Sequence, residues 1–127
     1  MAALPSFPWL VRKPDGPWCR TALAQDISLQ DAVAAIEAQL ASCGDADIAL
    51  VFASSSYASD LPRLLPLLRR RLNARHWLGC LGGGVIGTTG GGARPAEAHE
   101  CEHEPALSVT LLRLPGAELH QIGRAHV

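Results

Sequence analysis

The chain has 127 residues, enough for one compact domain and too few for two ordinary ones. With 48% hydrophobic and 18% charged residues it is too apolar to be a disordered tail. Lys and Arg total 11 against 12 for Asp and Glu, which excludes a basic field that would recruit nucleic acid or anionic lipid.

In chain order, residues 1–17 are proline-rich, and Arg12 and Lys13 interrupt them before a signal-peptide core could form. They read as an irregular lead-in. Residues 18–25 predict a short strand. Ser28 then stands as an N-cap before Asp31, and Leu29, Ala32, Val33, Ile36 and Leu40 recur at helical spacing. That helix is expected to stop near Cys43, with Gly44 closing it in the left-handed conformation. Residues 48–53 are continuously apolar and predict a central strand buried on both faces.

Ser54, Ser55 and Ser56 follow at the carboxyl end of that strand, where open α/β sheets place ligands. The bland alternative is a serine-rich turn leading into a helix. Ser59 or Asp60 caps the predicted second helix through Leu61, Leu64, Leu65, Leu68 and Leu72; Pro62 suits its first turn, Pro66 should bend it, and Asn73 should end it. The run Arg69, Arg70 and Arg71 reads as a solvated helix end. Residues 76–80 and 107–114 predict two more strands. Strands alternating with helices imply an α/β fold with a mixed, partly parallel sheet. Between the last two strands, residues 82–104 are too long for an ordinary connection and read as a functional or disordered loop.

Gly82-Gly83-Gly84-Val85-Ile86-Gly87 fits G-x-G-x-x-G, but the Thr88-Thr89-Gly90 that follows cannot start the helix a pyrophosphate needs. The better reading is that Gly79 and Gly82 to Gly84 bare the main chain to a small ligand or to neighbouring backbone. His99, Cys101 and His103 would share one face of an extended segment, with Cys80 as a fourth metal ligand, but the spacing matches no zinc module. Cys80, at a strand end, is the one candidate nucleophile, with His99 or His103 as its base; an inert strand thiol is the alternative. No nucleophile elbow or H-E-x-x-H is present. The tryptophans read as packing residues. Four cysteines without a leader suggest reduced thiols in the cytosol. The uncharged stretch of residues 76–93 holds eight glycines, so no membrane helix is expected.

Residues 48–55, then 63–68, then Leu78-Gly79-Cys80 with Gly82-Gly83-Gly84-Val85-Ile86-Gly87, and finally Glu100, Glu102 and Pro105-Ala106-Leu107-Ser108 together resemble the FIST N-terminal domain family. The likeness covers roughly residues 18–120, and the Gly79–Gly87 block with the Pro105–Ser108 block is its most specific part. The resemblance implies a non-catalytic cytoplasmic sensory domain in signal transduction. It also implies a small-molecule ligand, amino acids or their derivatives included, and no cofactor. The expected ligand-binding residues are Ser54, Ser55, Gly79, Cys80, Gly82, Gly83 and Gly84. Family members often carry a serine where Leu81 stands. Some eukaryotic members place an F-box before this region and recruit a ubiquitin ligase, and an interaction module of that kind is a further alternative. Only about twenty residues precede the likeness in this sequence, so no F-box is expected within it.

Family members continue into a FIST C-terminal domain, absent from this sequence. Residues 122–127 match one translated frame of a common sequencing adapter. The expected organisation is therefore a lead-in over 1–17, a partial FIST N-terminal domain over 18–121 and an adapter-derived tail over 122–127. A fragment of that kind is expected to have a sheet incomplete at its C-terminal side, with the strand near residues 107–114 left uncovered.

Overall fold

The computed structural model describes residues 16–91 and 94–122. The expected lead-in and adapter-like tail lie outside them, apart from residues 16, 17 and 122. Nine elements follow one another: β1 (Trp18–Ala24), α1 (Leu29–Gln39), β2 (Ala46–Ser54), a 3-10 helix (Ser55–Asp60), α2 (Leu61–Arg71), β3 (Ala74–Gly82), β4 (Gly84–Gly91), β5 (Arg94–Glu102) and β6 (Leu107–Arg113). Strands β1, β6, β2 and β3 form one open sheet in that order, in which β2 pairs parallel to β3 and antiparallel to β6. The mixed, partly parallel α/β sheet read from the sequence is therefore present.

Helix α1 forms where its apolar spacing and cap predict. The Ser28 side chain accepts from the Asp31 amide, and Leu29, Ala32, Val33 and Ile36 are buried. Burying Leu29, Val33 and Ile36 contributes about 1.5–3 kcal/mol each, and the Ala32 methyl about 0.8 kcal/mol. The helix ends differently from expectation. Leu40 closes it, sharing its N–H between the Ile36 and Glu37 carbonyls, and Gly44 does not adopt a positive φ. Helix α2 tolerates Pro62 in its first turn and Pro66 inside, and it stops because Leu72, not Asn73, turns extended. Arg71 at its basic end pairs with Glu37 at 2.7 Å, tying α2 to α1.

Both helices cover one face of the sheet. There Ile36, Leu64 and Leu68 meet Ala49, Val51, Leu107, Val109 and Leu111 in the main core. The opposite face carries a smaller cluster of Leu23, Val85, Cys101 and Ala106. It is covered by the antiparallel hairpin β4–β5, which replaces the long loop expected over residues 82–104. Glycines obscured that hairpin in the sequence, yet one of them makes it possible. At Gly87 a Cβ would lie 3.0 Å from both Leu23 Cβ and Ser108 Oγ, so a bare backbone lets β4 rest this closely on β1 and β6 without displacing them.

Two further expectations are corrected by this arrangement. Strand β2 is central but buried on one face only: Ala49, Val51 and Ala53 are buried, whereas Phe52 on the other face is 40% exposed because the hairpin packs chiefly over β1. Strand β6 is not an uncovered edge, since β1 pairs along its whole length. The sheet instead ends at β1 and β3. On β1 the Gln39 side chain hydrogen-bonds both peptide groups of Leu23, donating to its carbonyl at 2.8 Å and accepting from its amide at 3.3 Å. On β3 the Gln121 side chain donates to the Trp77 carbonyl at 3.1 Å.

Candidate functional site

The sequence-predicted site residues fall into two adjoining groups around the carboxyl ends of the parallel pair. Ser54 and Gly82 are register partners at the last rung of β2 and β3. Ser54 is only 2% exposed, and its hydroxyl accepts from the Ala106 amide at 3.0 Å while its own amide donates to the Ala106 carbonyl at 2.9 Å. That hydroxyl is thus committed to joining β2 to the start of β6. Ser55 opens the 3-10 helix and is exposed, and Gly82, Gly83 and Gly84 carry the chain from β3 into β4. The Ser54–Ser56 stretch is followed by no simple turn, because Tyr57 pulls it into the protein. Tyr57 is fully buried, and its hydroxyl donates to the Asp26 carbonyl. Burial, with Asp26 nearby, pushes its phenol up to about 12.

Gly79 and Cys80 belong to the second group. They line an apolar cleft of about 290 Å³ between the amino-terminal half of α2 and β3, together with Val51, Leu61, Leu64, Leu65, Trp77, Leu78 and Leu81. Position 79, in the wall of the cleft, has no side chain. An added Cβ would lie 2.0 Å from the Val51 carbonyl oxygen, so the wall there is main chain against main chain. Leu61 and Leu65, one helical turn apart, hold the outer rim and remain 43% and 38% exposed. No charged residue lines this cleft.

The leucines of the cleft were missed as site residues, although a signal existed. Leu64 and Leu68 already supply the core-facing stripe of α2, so Leu61 and Leu65 are apolar residues beyond what packing uses. Trp77 packs partly against the main core, as expected of a packing residue, and its indole N–H donates to the Ala74 carbonyl at 3.1 Å.

A second, polar depression of about 690 Å³ lies at the other end of the strands. Asp45, Asp47, Asn73, Arg75 and Arg113 line it, and Asp47 already accepts from the Leu114 amide at 2.6 Å.

The catalytic and metal alternatives gain no geometry. Cys80 is exposed and, among the described residues, has no hydrogen-bonding or ionic partner. His99 pairs instead with Glu97 at 3.6 Å, and His103 sits at φ 60 in the turn after β5. Cys101 is 1% exposed in the second core, where burial foremost, with Glu104 nearby, pushes its thiol up. The expected shared face therefore turns Cys101 inward, away from water. Among the described residues no three His, Cys, Asp or Glu side chains gather closely enough to hold a metal. No helix among them is long and apolar enough to cross a membrane.

Compared with known families, residues 47–124 match the model of the FIST N domain. Searches of curated proteins and of solved structures return no match.

Proposed function

Because the chain belongs to the FIST N domain family, a family of signal-transduction sensory domains, we propose that it senses a small molecule without transforming it. The observation that carries this reading is the cleft itself. It sits beside β3 toward the carboxyl end of the parallel strand pair, is walled by main chain at Gly79, and is lined by apolar side chains that offer a ligand apolar area to bury. Gly79 and Cys80 contact the ligand directly, while Gly82, Gly83, Gly84 and Ser55 shape the adjoining mouth. Ser54 acts indirectly, by anchoring the end of β2 through Ala106. Amino acids and their derivatives are the ligand class the family implies. The four cysteines are unpaired thiols, which suits a cytosolic setting.

The test is a thermal-shift screen of the chain against small metabolites, combined with alkylation of Cys80. A ligand at a hundredfold excess over its Kd stabilises by about 2.7 kcal/mol, a readily measured rise in Tm. The same ligand should slow Cys80 labelling, read by peptide mass, while leaving exposed Cys19 unchanged. A screen with no shift, or shifts without Cys80 protection, contradicts the reading. Turnover of the ligand, abolished by Cys80→Ser, would instead establish an enzyme.

A further inference from the structure

The lining of the cleft specifies its ligand more narrowly than the family does. We infer that it takes an uncharged molecule with an aliphatic or aromatic body, and that free zwitterionic amino acids are excluded from it. This rests on the cleft being the sensory site, as proposed above. All nine lining residues are apolar or glycine, cysteine or tryptophan, and none carries a charge. An ammonium or carboxylate placed against this lining gains no ionic partner, and whatever hydration the apolar walls displace from it goes uncompensated. The ion pair nearest in sequence, Asp60 with Arg63, already satisfies itself at 3.7 Å on the exposed side of α2.

The size and shape agree. A volume of about 290 Å³ fits a compact small molecule, and the Leu61 and Leu65 rim offers apolar area on the solvent side. Polar groups of such a ligand would meet only the main chain around Gly79 and the Cys80 thiol, so amide or hydroxyl functions are accommodated where ions are not. The charged depression at the opposite strand ends is a separate place; Asp47 and Arg113 pair with each other there at 3.9 Å, and Asp45 and Arg75 are the further groups of each sign that a zwitterion would meet. The two depressions thus sort ligands by charge.

The experiment compares two compounds that share one side chain, N-acetyl-leucinamide and free leucine. Both compete against the uncharged fluorescent probe N-phenyl-1-naphthylamine, with Trp fluorescence as a second readout. The amide should displace the probe at least about tenfold more effectively than leucine, the penalty of an unpaired charge. Leu65→Glu should abolish probe binding while far-UV circular dichroism stays unchanged; Leu61→Glu, on the same rim, substitutes if that variant unfolds. Leucine competing as well as the amide, in a manner lost with Leu65→Glu, would overturn the charge rule while leaving the cleft as the site. A folded protein that binds neither probe nor either compound would overturn the cleft reading itself. Leucine binding lost with Arg75→Ala but not Leu65→Glu would move the sensory site to the polar depression, and the inference would fail with it.

Discussion

Replacing Gly79 by alanine tests whether the glycine-rich block is a packing device, a ligand wall, or both. The new Cβ would lie 2.0 Å from the Val51 carbonyl oxygen, 2.9 Å from its carbon and 3.1 Å from Val51 Cβ. Ordinary contact begins near 3.4 Å, so β3 must retreat from β2 by roughly 1.4 Å at this rung, the difference between 3.4 and 2.0 Å. A retreat of that size stretches neighbouring N–H···O bonds beyond about 3.5 Å, where they no longer count as bonds. Losing two or three of them at about 1 kcal/mol each, on top of about 1–3 kcal/mol for overpacking, gives a cost of about 3–6 kcal/mol. The gradient along the block sharpens the test. Gly87→Ala meets Leu23 and Ser108 at 3.0 Å and should cost about 1–2 kcal/mol, whereas Gly83→Ala meets nothing within 4 Å and should stay within about 0.5 kcal/mol of the parent. Urea unfolding followed by circular dichroism measures all three, with m-values compared so that changes in the unfolded state are not mistaken for native strain. Gly79→Ala within 1 kcal/mol of the parent, by the scale just given, or Gly83→Ala more damaging than Gly79→Ala, would refute the close-approach argument.

Ser54→Ala leaves the buried Ala106 amide without its acceptor and should cost about 1–3 kcal/mol, with no direct loss of ligand contact; a stability unchanged in urea would return Ser54 to the list of ligand-binding residues. Gln39→Ala frees both peptide groups of Leu23 on the β1 edge and should cost about 1–2 kcal/mol, accompanied by faster hydrogen exchange at Leu23, which mass spectrometry or NMR would show. Tyr57 gives the protein an alkaline limit. Its phenol titrates near 10 when unfolded and about 12 when folded, so between those values the unfolded chain releases the proton first. Stability is therefore fully present below about pH 10 and falls as pH rises toward 12, and Tyr57→Phe should flatten that limb of a pH series of melts.

Most of the architecture was legible because it depends on local periodicity. The Ser28 cap and the spacing of Leu29, Val33 and Ile36 mark α1, and the apolar run from Ile48 to Ala53 marks β2. Local rules failed in two places, for different reasons. Gly44 is a poor guide to the end of α1 because Leu40 had already closed it through Ile36 and Glu37. The hairpin β4–β5 was unreadable because glycines weaken strand preference, while its stability comes from packing Val85 and Cys101 on Leu23 and Ala106.

The candidate site divides along the same line. Amino-acid types alone pointed to bare main chain at Gly79 and Gly82 to Gly84 and to a thiol at Cys80, since side-chain-free residues mark close approach wherever they occur. Which neighbours approach is a property of the folded pairing. Only the parallel register of β2 with β3 sets Gly79 against Val51, and only the seating of α2 over that rung turns the gap into a cleft rimmed by Leu61 and Leu65. The order β1-β6-β2-β3 likewise made β6 interior and β3 the edge, because strand pairing joins residues far apart in the chain and no window of sequence contains both partners.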